Sequence, residues 1–159
     1  MFQEVMVKKV EMDAKDFFRT ERFYCSEAIV ASIRKNIVPQ MPEAVIATAS
    51  GFSAGVGQPE CMCSALTGAI ISLGYLFGRT NPSSPHNRNS VRCMRLAYEL
   101  IELFRSKHNC TLRCRVYIVD ASPCSDEYKS QCEVFIGEIA AKTAEIIFRE
   151  LGSSVAQIV

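Results

Sequence analysis

The stretch Ala49–Gly78, ASGFSAGVGQPECMCSALTGAIISLGYLFG, decides how this chain is read, because it joins a glycine-rich turn to a long apolar run through two cysteines. Gly51, Gly55 and Gly57 allow tight or left-handed backbone, Pro59 suits the first turn of a helix, and Glu60 adds a negative charge there. Cys61 and Cys63 follow at once. A sulfur at a helix start faces unpaired amides and the positive end of the macrodipole, which favours thiolate over thiol. Thiolate is the form that binds metal and attacks disulfides, so the stretch points to a cysteine-based redox or metal centre.

The apolar run also raises the question of a membrane span, since no charged residue lies between Glu60 and Arg79. Cys61, Ser64, Thr67, Gly68, Ser72 and Gly74 interrupt it and no second such run follows, so a buried core helix over Ser64 to Phe77, stopped by Gly78, is expected. Working outward, Asp13 to Arg22 has helical spacing. CSEAIVASIRKNI starts a helix at Cys25, with Ser26 as a good cap residue and Ala28, Ile29, Ile33 and Ile37 on one face. Pro39 and Pro42 break that helix, and Glu43 to Ser50 reads as a shorter one leading into the turn. Beyond the polar loop RTNPSSPHNRNS, Ser90 to about Ser106 carries a broad apolar face. Ser125 to Leu151 follows a helical stripe through Cys132, Phe135, Ile136, Ile139, Ala140, Ile146 and Ile147, ended by Gly152. CTLRCRVYIVDASPC places Cys110 and Cys114 one helical turn apart beside a strand-like VYIV; with no partner strand elsewhere, a short helix or irregular segment is expected. The expected fold is all-α, one domain over 1–159, a compact bundle of five or six helices with a cysteine cluster near helix N-termini.

Composition narrows the function. Lys+Arg 18 against Asp+Glu 17 gives no excess of charge for nucleic acid or an anionic membrane, and Arg88, Arg92 and Arg95 read as a solvated helix face. The N-terminal MFQEVMVKKVEMDAKDFF is charged throughout and has no signal-peptide pattern, so a cytoplasmic location is expected. In a reducing compartment, 8 cysteines indicate metal, catalysis or burial before structural disulfides. The chain has no C-x-x-C, and the C-x-C of Cys61 and Cys63 is a weak motif. Cys93 reads as a packed small hydrophobe, His86 as an exposed loop residue, and His108 as a surface residue that doubles as a ligand or proton-carrier candidate beside Cys110. Tyr24 reads as a shield over Cys25 or as core. Gly51, Gly55 and Gly57 lack the lysine and hydroxyl of a P-loop and read as a structural turn. Ala65 and Gly68, a turn apart, read as a close helix-packing surface.

YCSEAIVASI, GFSAGVGQPECMCSALTGAIISLGYLFGR, NCTLRC and CEVFIGEIAAKTAEII, in that order, resemble the segments of the redox-active family labelled by its C_GCAxxG_C_C cysteine pattern. The family's central Cys-Gly-Ala-x-x-Gly resembles Cys63-Ser64-Ala65-Leu66-Thr67-Gly68, its first cysteine matches Cys25, its third Cys110 and its fourth Cys132. Ser64 stands where the family has glycine. Cys114 is an additional cysteine that competes with Cys110 for the third position, as Cys61 does nearby for the second. A similar four-cysteine domain in split-Soret cytochromes is held to carry an iron–sulfur cluster, and the resemblance implies the same cofactor here, on Cys25, Cys63, Cys110 and Cys132.

Three functions are compatible with this reading. The first is electron transfer or redox sensing through that cluster, with an unidentified redox partner protein and with zinc as a variant. The second is a metal-free thiol–disulfide oxidoreductase in which Cys63 attacks and Cys25 or Cys61 resolves. The third is a structural or adaptor bundle whose cysteines are merely buried. Whether the chain is an enzyme stays open. A homodimer is compatible with all three.

Overall fold

The computed structural model describes residues 2–57, 61–108, 112–114 and 126–152. Its elements are α1 (Phe2–Arg19), α2 (Cys25–Asn36), α3 (Glu43–Ser50), the short α4 (Ser53–Gly57), α5 (Ser64–Phe77), α6 (Arg88–Lys107) and α7 (Asp126–Leu151). The protein is all-helical among the described residues. α4 is not a right-handed helix: Ala54 (φ 51), Gly55 (φ 69) and Val56 (φ 69) make a single left-handed turn. Side chains with a Cβ are disfavoured there by about 1–2 kcal/mol per residue, so the surrounding contacts must hold Ala54 and Val56 in place. Gly55 and Gly57 do adopt positive φ as expected, whereas Gly51 (φ −67) is ordinary right-handed backbone.

α2 and α5 form the centre, packed on each other and on the surrounding helices, while α1 lies along α7. Both central helices are buried over most of their length, Ala28, Ile29, Val30 and Ile33 on one and Ala65, Leu66, Ala69 and Leu73 on the other. This explains why α5 is so free of charge. At 14 residues it is about 21 Å long, well short of a bilayer's apolar core, and none of the described helices is long and apolar enough to cross a membrane.

The crossing of α2 and α5 depends on Gly68. A Cβ added there would sit 2.4 Å from the carbonyl oxygen of Ser26 and 2.8 Å from its Cα, so only hydrogen lets the first turn of α2 rest on α5. The small-residue packing surface expected at Ala65 and Gly68 is therefore the place where the chain positions Cys25.

Several local expectations are corrected. α1 begins at Phe2, far ahead of Asp13, because Val10 and Ala14 are buried with Met6 and Val7 packed against the core, while the lysines between them face water. Ser26 does not cap α2. It is fully buried in the first turn, its hydroxyl donating to Ala49 O at 2.9 Å and accepting from Ser53 Oγ at 2.8 Å; the cap is Tyr24, whose amide donates to the Glu27 carboxylate at 2.8 Å. Tyr24 is 65% exposed, neither core nor shield. Arg92 and Arg95 do not form a merely solvated face: both bind Glu150, and the Arg92 guanidinium also stacks 4.6 Å from the centre of the Phe77 ring, joining α5, α6 and α7. Pro59, Glu60, Cys110 and the VYIV segment lie outside the described residues.

Candidate thiol centre

Cys25 is the first residue of α2, Cys63 caps α5, Cys114 lies in the connection between α6 and α7, and Cys132 lies two turns into α7. These four, from four separate segments, line one cavity together with Ala54, Gly55, Tyr128, Phe135 and Ile136. Cys25, Cys63 and Cys132 thus face a common space, and among the described residues the fourth sulfur is that of Cys114. The cavity holds about 10 Å³, the lower limit for one water molecule. The four thiols are close enough to one another that the charge of each would raise the cost of ionising its neighbours.

Two backbone links fix this arrangement. The Cys63 amide donates to Leu112 O at 2.8 Å, which ties the 112–114 piece to the start of α5. The Ser64 hydroxyl accepts from the Gly55 amide at 2.6 Å and donates to Phe52 O at 2.7 Å, which pins the left-handed turn as a wall of the cavity. The serine that replaces the family's glycine therefore has its own task.

At Cys63 burial dominates and pushes the thiol up to about 12. The amides of Ala65 and Leu66 do reach its sulfur, as a helix start should provide, but they offset only part of the desolvation. The thiolate expected at this helix start is overridden by burial. Cys132 moves the other way. The Cys25 S–H donates to it, burial opposes, and the Tyr128 hydroxyl adds a second donor, so the Cys132 thiol is held below its usual value. Cys25 is raised, first by donating that hydrogen bond and then by burial.

Tyr128, four residues before Cys132 on the same face of α7, was not among the sequence candidates; its only signal is that i−4 spacing. Cys61 is exposed, and Cys93 is half-buried against the core as a packed hydrophobe. His108 is not a surface residue. Its ring lies 4.4 Å from Phe104 and 4.7 Å from Phe135 between centres, and its Nε2 is 2.9 Å from the Glu138 carboxylate. Phe135 separates it from the thiol cavity.

The donor set is of the right kind for a soft metal or an iron–sulfur cluster, with four sulfurs in an apolar space and two backbone amides already directed at one of them. Among the described residues, however, no group of three or more His, Cys, Asp or Glu side chains is drawn together as a metal ion requires. Seating a cluster would need the walls to move outward.

No curated protein and no solved structure matches this chain. A family model matches residues 23–146, a span that includes Cys25, Cys63, Cys110, Cys114 and Cys132, and by that match the chain belongs to the family described as "Putative redox-active protein (C_GCAxxG_C_C)".

Proposed function

We propose that the four sulfurs form a redox centre that carries an iron–sulfur cluster for electron transfer or redox sensing, held by Cys25, Cys63, Cys132 and one of Cys114 and Cys110. The observation that carries this reading is that four thiols from four segments line one apolar cavity, where a dithiol needs only two. When bound, such a cluster would accept and release one electron at a time. The chain's own residues would supply the rest. The Ala65 and Leu66 amides and the Tyr128 hydroxyl direct donors at two of the sulfurs, and Phe135 and Ile136 keep water away. The test is absorbance and electron paramagnetic resonance of anaerobically purified protein, with serine placed in turn at 25, 63, 110, 114 and 132. Loss of the signal in the variants at 25, 63, 132 and one of the two remaining positions supports the reading. A signal that survives Cys63→Ser and Cys132→Ser contradicts it.

The presence of Cys25 and Cys132 on one cavity wall favours a second reading, a metal-free dithiol. Here the Cys132 thiolate would attack a substrate disulfide and expel one substrate thiolate. Cys25 would then lose its proton and attack the Cys132 sulfur of the mixed disulfide, closing the Cys25–Cys132 bond and expelling Cys132's other partner as a second thiolate. One disulfide is reduced and one formed. Cys132, held below its usual value, is a better attacking sulfur than Cys63, which burial raises. Mass spectrometry after mild oxidation separates the readings, since the second demands Cys25–Cys132 as the dominant reversible disulfide.

A further inference from the structure

We propose that the outer face of α6 is where two copies of this chain associate, the two helices lying antiparallel across a two-fold axis. α6 buries Leu96, Leu100 and Phe104 against the core. A helix packed on one side is normally polar on the other. Here Val91, Met94 and Tyr98 lie on the side away from that core stripe and are 47%, 60% and 64% exposed. They stand at i, i+3 and i+7, the spacing that keeps a stripe on one helix face over successive turns. Charges of opposite sign bound the stripe, Arg88 one turn before Val91 and Glu102 one turn after Tyr98.

The order of those charges selects the occupant. The positions of Arg88, Val91, Tyr98 and Glu102 follow the heptad pattern by which two helices face each other along one seam. When a second α6 runs antiparallel, Arg88 meets the other copy's Glu102, Val91 meets its Tyr98, and the two Met94 side chains come together near the axis. A parallel pair would instead set arginine against arginine and glutamate against glutamate. Contact through a two-fold axis requires a self-complementary surface of this kind. Arg88 is exposed and makes no hydrogen bond or ion pair with its side chain among the described residues, and Glu102 holds Arg105 of the same helix at 3.1 Å, both side chains nearly half exposed. Arg95, beside Met94, reaches back to Glu150 of α7 at 3.3 Å, so its charge is compensated within its own chain. The seam from Arg88 to Glu102 is about 21 Å long, which makes a small interface and a reversible, concentration-dependent dimer.

The test is sedimentation velocity of the full-length protein over a concentration series, with reductant present so that exposed Cys61 cannot cross-link copies. A monomer–dimer equilibrium in the wild type, abolished by Met94→Lys and by Tyr98→Lys with thermal unfolding unchanged, is the expected result. Arg88→Glu alone or Glu102→Arg alone sets like charges together at two symmetry-related contacts and should weaken association about tenfold. The double variant Arg88→Glu, Glu102→Arg exchanges the partners and should restore it; glutamate at the first residue of α6 also suits the helix dipole, so the fold is not at risk there. Wild-type protein that stays monomeric at every concentration, or a dimer that both lysine variants leave intact, overturns the proposal. A double variant as weak as the single ones overturns the antiparallel pairing.

Discussion

Replacing Gly68 by alanine tests how the chain positions its first cysteine. The new Cβ would lie 2.4, 2.8 and 2.9 Å from Ser26 O, Cα and C, all backbone atoms of α2 that cannot rotate away. Restoring ordinary contact requires α2 to retreat from α5 by about 1 Å, at the central crossing of the bundle. Overpacking of this kind costs up to about 3 kcal/mol, against which alanine's better helix propensity returns about 1 kcal/mol, for a net loss of about 2 kcal/mol. Gly74, two turns further along α5, has nothing within 4 Å of its added Cβ, so Gly74→Ala should stabilise by up to about 1 kcal/mol. Urea unfolding of both variants reads the difference, and Gly68→Ala should also draw Cys25 away from Cys63. Equal stability of the two variants would refute the argument, because only the contact with Ser26 distinguishes them.

Ser64→Ala leaves the buried Gly55 amide without its acceptor, while Phe52 O keeps only the longer bonds from Val56 N and Thr67 Oγ1, and should cost about 1–3 kcal/mol in urea unfolding; unchanged stability would mean that the hydroxyl does not hold the turn. Val56→Gly removes a β-branched residue from left-handed backbone (φ 69) and should stabilise by about 1 kcal/mol, whereas a destabilised variant would argue against the left-handed turn. Burial pushes the Asp13 carboxyl up, but hydrogen bonds from Lys35 Nζ and Asn36 Nδ2, with the charge of Lys35, outweigh it and hold the group below its usual value. Its stabilising contribution is therefore complete above about pH 4 and is lost as pH falls through the folded value; Asp13→Asn should lose stability at neutral pH and show a flatter acid limb, and parallel pH profiles would contradict this. Alkylation of metal-free protein at pH 7, followed by mass spectrometry, should modify exposed Cys61 early and Cys63 last, since burial keeps the latter protonated. Fast labelling of Cys63 would show the cavity to be open.

The helices were legible in the sequence wherever one apolar stripe had to face one core. α7 was readable almost to the residue, and α5 could be recognised as a buried helix because its run lacks charge on every side. α1 was only half legible, because its inward positions, the buried Val10 and Ala14 and the partly buried Val7, are interspersed with lysines that dilute the stripe. The left-handed turn was legible at Gly55 and Gly57 but not at Ala54 and Val56, where a residue with a Cβ is held in that conformation and Ser64 binds the neighbouring Gly55 amide. At the centre, the sequence placed Cys25 and Cys63 at the starts of α2 and α5, while their meeting with Cys114 and Cys132 on one cavity is a product of tertiary packing. The direction of each thiol's shift was not legible either, because it depends on how dry each sulfur is and on which thiol donates to which. Cys63 has the helix start and is raised all the same, whereas Cys132, mid-helix, is lowered by Cys25 and Tyr128. His108 was misread for a related reason: its burial comes from Phe104 one turn back and from Phe135 on another helix.

The most direct measurement is the iron and acid-labile sulfide content of the full-length protein purified without oxygen, taken alongside its Cys63→Ser variant. Four sulfurs serving one cluster predict iron and sulfide in equal amounts in the wild type and neither in the variant. Wild-type protein that binds neither, after anaerobic loading with both, would contradict the four-sulfur cluster and leave the Cys25–Cys132 pair as the redox centre.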